Sequence, residues 1–291
     1  VLAALVVVVF FATNLLGDPA RLMLRPEAPA SQVEALRERL GLNDPLPVRF
    51  ARYLGGIARG DFGESIWQRA PAMPIVLERL PNTLYLAAAT LAIAVPLALL
   101  LGFVAAPRPG SATDRVVTTL AVGGVSTADF WLGLMLIVVF AVGLGWLPTS
   151  GFGGLNFVLL PALALGARPF GRLCLMVRDA LREQLAQNYV AAARARGLRE
   201  RAVVGRHAMR NAVIPVLTLA GDEAATLLSS AVVIETVFGW PGLGLLLIQA
   251  VERRDLPLII SCVVVVATLV VVINLLVDLA YAAADPRVRF A

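Results

Sequence analysis

Five stretches of this chain stay apolar for longer than the roughly 20 residues a helix needs to cross the hydrocarbon core of a bilayer. They run from Thr83 to Ala106, Val116 to Leu147, Leu155 to Val177, Ala212 to Glu235 and Leu256 to Tyr281. A further run, Val1 to Leu16, is shorter, and we expect it to be the remainder of a first span that begins before Val1. Backbone polar groups in lipid must be satisfied within the segment itself, so the expected fold is an all-α membrane protein with about six transmembrane helices. Composition agrees, with 59% hydrophobic residues against 15% charged and a mean hydropathy of +0.81. The stretch from Val116 to Leu147 is overlong and holds Gly123-Gly124 and Asp129, which predicts a tilted span or a break near the glycines.

All 25 basic residues are arginine. The charge alone would admit nucleic acid, but no arginine run is interleaved with stacking aromatics, and most of the chain is needed to fill membrane. If the first span leaves the cytoplasm, twelve arginines fall on the inner side: Arg108, Arg115, eight from Arg178 to Arg210, Arg287 and Arg289. The short outer loops then hold only Arg253 and Arg254. The positive-inside rule therefore places both termini in the cytoplasm. Cys174 and Cys262 each sit in apolar surroundings, as small hydrophobes do.

Three regions follow: the first span (1–16), an extracytoplasmic segment (17–82) and a transmembrane core (83–291) containing a cytoplasmic loop at 178–211. The outer segment carries helix signals. Ser31 and Glu34 have capping-box spacing ahead of Val33, Leu36 and Leu40. Asp44 followed by Pro45 predicts a second capped helix, with Phe50, Leu54 and Ile57 along one side, ending at Gly60-Asp61-Phe62-Gly63. Such a segment can simply rest on the membrane surface or receive an external partner, and spacing does not decide between them.

The inner loop reads Tyr189-Val-Ala-Ala192-Ala193-Arg-Ala-Arg-Gly197-Leu198-Arg199, then His207-Ala-Met-Arg-Asn211-Ala-Val-Ile-Pro215. Both halves are good helix formers, and Gly197 between them allows the positive-φ turn that ends one helix and redirects the chain. The small residues Ala191, Ala192 and Ala193 would let a partner approach closely. A polybasic loop lying on anionic lipid would need only the positive charge, and the residues themselves leave both readings open.

This loop resembles the coupling loop of binding-protein-dependent importer permeases of the dipeptide, oligopeptide and nickel branch. The resemblance extends over nearly the whole chain, through Leu40-Gly-Leu-Asn-Asp44-Pro45, Tyr53-Leu-Gly-Gly56, Gly60-Asp-Phe-Gly-Glu-Ser65, Phe130-Trp-Leu-Gly133, Trp146-Leu-Pro148, Glu235-Thr-Val-Phe-Gly-Trp-Pro-Gly-Leu-Gly244, Asn274-Leu-Leu-Val-Asp278-Leu-Ala-Tyr281 and Asp285-Pro-Arg287. Departures are Asn188 for an acid, Arg196 for a lysine, and Gly221-Asp222-Glu223 where the family tends to be uncharged. The resemblance implies a bacterial inner-membrane permease subunit of an ATP-driven importer for peptides or a related solute. It also implies a second homologous permease, two ATP-binding subunits that carry ATP and Mg, and an extracytoplasmic solute-binding protein. Tyr189, Ala192, Ala193, Gly197, Leu198, Arg199, His207, Asn211 and Pro215 then belong to an ATPase-coupling loop.

Arg168, Asp129, Asp222 and Glu223 fall inside predicted spans, where a charge at the bilayer centre costs about 2.5–3.5 kcal/mol and normally faces a partner or a watery cavity. We expect Arg168 to pair with Asp222 or Asp129, leaving the other acid for a substrate amino group, while Arg172 snorkels towards the interface. A structural pair at a helix or subunit interface is the plainer alternative. The chain has no lysine and hence no P-loop of its own, so ATP hydrolysis is expected on separate subunits. A single His and two separated Cys give no metal set, and no partnered nucleophile appears. Enzymatic activity and a resident cofactor are therefore not expected. An ion-coupled secondary transporter is the alternative function, encouraged only by the intramembrane carboxylates.

Overall fold

The computed structural model describes Val7 and residues 29–40, 43–199 and 202–284. The fold is all-α: among the described residues the β pairing is a single antiparallel bridge between Glu64 and Pro71. The helices are α1 (Ala30–Leu40), α2 (Leu46–Ala58), α3 (Ala72–Ala105), α4 (Ala112–Ser126), α5 (Asp129–Leu136, continued by a π-helical turn Ile137–Gly143), α6 (Leu155–Leu185) and α7 (Asn188–Ala195). A second π-helical turn, Val203–Ala208, leads into α8 (Met209–Val237), which is followed by α9 (Leu243–Glu252) and α10 (Leu256–Ala284).

Three of these helices, α3, α6 and α10, are long and apolar enough to cross a membrane, and α4 with α5 makes a fourth if the bent pair counts as one span. The expected fifth span lies within the 29-residue α8, whose apolar character Asp222 and Glu223 interrupt. The expected first span falls outside the described residues apart from the helical Val7.

The overlong stretch is broken, as the glycines suggested, by a 109° bend between α4 and α5. At the bend Thr127 turns extended and its Oγ1 donates to the Gly123 carbonyl at 2.7 Å, closing the end of α4. Gly124 allows close packing: a Cβ there would stand 2.5 Å from the Ala167 carbonyl oxygen of α6. Gly171 does the same from the α6 side, where a Cβ would meet the Ala121 carbonyl and lie 2.7 Å from Val125 Cγ2. Small residues that let helix backbones touch are a main source of association in lipid. Gly171→Ala should therefore destabilise the purified protein by about 1–3 kcal/mol of overpacking, read as a lower melting temperature. Gly123→Ala, which meets nothing within 4 Å, should not, and equal shifts for the two would refute this packing role.

The chain divides into two compact units, residues 1–83 with 241–269, and 84–240 with 270–291. In the first, α3 begins at Ala72 rather than at the expected Thr83. Burial accounts for the earlier start: Ala72, Ile75 and Val76 pack with Leu243, Leu246, Ala250, Leu258 and Cys262, and this holds the helix through Pro81. The two expected caps do not form. α1 starts on the Pro29 carbonyl, leaving Ser31 inside the helix, and Glu34 reaches Arg37 at 3.2 Å and Asn43 at 3.0 Å instead. Asp44 likewise pairs with Arg52 at 2.6 Å, and Pro45 occupies the cap of α2. A further anchor joins Asp255 to the Ser65 hydroxyl at 2.5 Å and to the Trp67 N–H at 3.0 Å.

In the second unit α6 is central, with α4, α5 and α8 packed on it. Leu160, Leu165, Leu227, Ile234, Phe238 and Trp240 form part of one buried cluster. Leu173, Cys174 and Val177 belong to another, with Ala98, Val117 and Val216.

Candidate functional site

The segment after α6 is organised around Gly197. The α7 helix ends in a Schellman motif, in which the Gly197 N–H donates to the Arg194 carbonyl at 2.9 Å and the Leu198 N–H to Ala193 at 3.4 Å. The motif needs a left-handed residue after the cap, and Gly197 has φ +77°. The Arg199 carbonyl then accepts the N–H groups of Ala202 and Val203, starting the turn that leads into α8. Val190, Ala193 and Val203 close a small apolar cluster with Leu185, so α7 is fixed against its own neighbours.

That packing separates the loop residues into two groups. Ala193 is buried and serves the fold of the loop, whereas sequence suggested it as a surface for close approach. Tyr189, Ala192, Leu198 and Arg199 are exposed, with the Tyr189 hydroxyl 2.9 Å from Gln184 Oε1. Pro215 is half-buried within α8. His207 lies in the π-helical turn and Asn211 in the first turns of α8, and their side chains are outside the described residues.

Where α7 leaves α6, a buried acid that sequence reasoning missed sets the geometry. Asp114 Oδ1 lies 2.7 Å from both Arg178 Nε and Arg182 Nη2, and its Oδ2 accepts the Gly110 N–H at 2.8 Å. Arg182 Nε also reaches the Ala106 carbonyl at 3.4 Å. The start of α4 and the last two turns of α6 are thus clamped together just ahead of the α7 segment. A signal was present in Ser111-Ala-Thr-Asp114 ahead of an apolar run, a capping pattern in which Ser111 Oγ accepts the Asp114 N–H at 3.2 Å.

The charges inside the spans meet between α6 and α8, but with a different cation. Arg172, not Arg168, carries the contacts: its Nη1 is 2.5 Å from Glu223 Oε1 and 3.7 Å from Asp222 Oδ2. Long helical side chains lean towards the N-terminus of their helix, so an arginine one turn further along covers the level assigned to Arg168. Glu223 is 2% exposed, while the Asp222 side chain is 63% exposed. Arg168 makes no ion pair among the described residues and acts on Asp129 and Glu223 only through space. Asp129 opens α5, where its carboxylate suits the positive end of the helix.

Residues 98–290 match the family described as binding-protein-dependent transport system inner membrane component, and residues 1–87 match that family's N-terminal membrane component. The chain belongs to this family. It is a permease subunit of an ATP-driven importer, in a multi-pass protein of the inner membrane. The permease is 41% identical over 285 residues to the glutathione transport system permease protein GsiC of Salmonella paratyphi A, covering 98% of this chain and 93% of that one. The protein of the same name from Escherichia coli K12 is 40% identical over the same coverage.

Among solved structures, the permease resembles an inward-facing MetNI methionine ABC transporter at a TM-score of 0.59 and 19% identity, over 73% of this chain and 97% of that one. It also resembles an amino acid ABC transporter crystallised with histidines, at a TM-score of 0.57 and 19% identity, over 72% and 94%. These two likenesses speak for the fold alone. Family membership bears out the resemblance seen in the sequence and displaces the ion-coupled alternative.

Proposed function

We propose that this permease passes glutathione or a similarly small peptide inward, between itself and a second homologous permease. An extracytoplasmic binding protein delivers the cargo, and two ATP-binding subunits, which carry ATP and Mg, drive the cycle from the cytoplasm. Both termini and the 178–211 segment lie on that inner side, in keeping with the twelve arginines counted there. The cargo assignment rests on the named function of the glutathione permeases that match along 98% of this chain.

The observation that carries the coupling assignment is the form of the α7 segment. An apolar cluster and a Schellman turn hold it rigid, and it presents Tyr189, Ala192, Leu198 and Arg199 outward. Anionic lipid would need only loose positive charge, whereas a rigid helix with small exposed residues and flanking arginines fits a protein groove bearing acids.

Photo-crosslinking from position 199 in native membranes, with the captured species identified by mass spectrometry, tests this reading. An ATP-binding subunit is the expected product, and lipid alone would overturn it. Uptake of labelled glutathione by vesicles containing the complete complex tests the cargo.

A further inference from the structure

The exposed face of α8 is the reverse of what lipid requires. Among the side chains described on α8, the outward ones are Thr218, Asp222, Ser229, Val233 and Thr236, with half-buried Thr226 between the second and third. Spacings of three and four place them along one stripe of the helix. Leu227, Leu228, Ala231 and Ile234 point into the protein. On α10, by contrast, Val272, Leu275, Leu276 and Leu279 are exposed, as a lipid-facing surface should be. The Thr226 and Thr236 hydroxyls donate to carbonyls of their own helix, so the exposed Asp222 carboxylate is what suits this face to water or a polar partner rather than to lipid.

Two opposite charges stand beside this stripe near the middle of their helices. Asp222 is mostly exposed and only 3.7 Å from Arg172, whose shorter contact is to the buried Glu223. Arg168 is exposed, without an ion pair among the described residues, and precedes Arg172 by one turn, about 5.4 Å along the axis. Arg172 ties α6 to Glu223 and lies beside Asp222 on α8, and Arg168 stands one turn from Arg172 on the same side of α6. Two or three extended residues span about 7–10 Å, the scale of such a one-turn offset plus side-chain reach. Left facing hydrocarbon, each charge would cost about 2.5–3.5 kcal/mol.

We infer that Asp222 and Arg168 form a zwitterion-selective subsite in the wall of the translocation path, Asp222 receiving the cargo's ammonium group and Arg168 a carboxylate. The subsite deepens the importer reading above and rests on it. It gives the permease a share in cargo selection, through charges placed where a solute passes the bilayer midplane.

The two native cysteines provide a test that does not depend on the cargo, since both are fully buried and should stay silent to a charged, membrane-impermeant methanethiosulfonate. In the complete complex, Asp222→Cys and Ser229→Cys should react, and Leu275→Cys should not. An Asp222→Cys variant as inert as Leu275→Cys would overturn the proposal, whatever the cargo proves to be. In transport, Asp222→Asn should raise KM for glutathione at least tenfold, as for a lost charge-assisted contact, and shift KM for amine-acetylated glutathione less than twofold. Equal shifts for the two would also overturn it, as would loss of the second permease on purification of Asp222→Asn, since Asp222 would then serve the subunit interface. Wild-type complex that takes up neither compound would refute the glutathione assignment, and cysteine reactivity would still decide the subsite.

Discussion

Gly197→Val is expected to cut ATP-driven uptake at least tenfold while the spans remain folded. Among the described residues beyond its chain neighbours, nothing lies within 4 Å of where a Cβ would stand on Gly197, so the substitution meets no tertiary obstacle there. Its effect is conformational: φ is +77°, in the region where a β-branched L-residue is a genuine outlier. To relieve it the chain must abandon the Schellman bonds from Gly197 to Arg194 and from Leu198 to Ala193. The α7 helix then loses its fixed exit, and the Val190, Ala193 and Val203 cluster that orients it loosens. Gly197→Asn, which tolerates the left-handed region, should keep most of the uptake. The measurement is uptake and ATP hydrolysis side by side in proteoliposomes. Uptake should fall further than hydrolysis in the valine variant, and equal uptake by the Val and Asn variants would refute the turn as the cause.

This turn was legible in the sequence because one residue type satisfies a backbone demand, and the apolar spans were legible because lipid imposes a length. The bend after Gly123-Gly124 was visible for a related reason, although Gly124 serves contact with Ala167 rather than the bend itself. Other features depended on tertiary context. Nothing local says that α3 starts at Ala72, because the reason is burial against residues some 170 positions later, in α9 and α10. Ser31 and Asp44 have the right spacing to cap, but the Pro29 carbonyl and Arg52 offered alternatives that spacing does not reveal. Helical periodicity put Arg168 and Arg172 on one face, and only the lean of the side chains decided which of them reached Glu223.

The Asp114 clamp turns on what remains when its acid is removed. Asp114→Ala strips the shared acceptor from Arg178 and Arg182, whose side chains are only 17% and 23% exposed; Arg178 keeps Asp179 at 2.6 Å, whereas Arg182 is left with the Ala106 carbonyl beside a like charge. Removing one member of a buried ion pair costs about 3–5 kcal/mol, mostly through the stranded partner, so the loss here should reach at least the top of the range expected for the Gly171 substitution. Water can reach the rim of both guanidinium groups, which points to the lower end, about 3 kcal/mol. If the stranded charge is the cause, Arg182→Leu made in the Asp114→Ala background should recover part of the loss, although each change alone destabilises. A double-mutant cycle of melting temperatures reads this directly. A favourable coupling between positions 114 and 182 is the expected result. Strict additivity would mean that Asp114 acts through its bond to Gly110 and its place in the first turn of α4, leaving Arg178 alone to join the two helices where α7 departs.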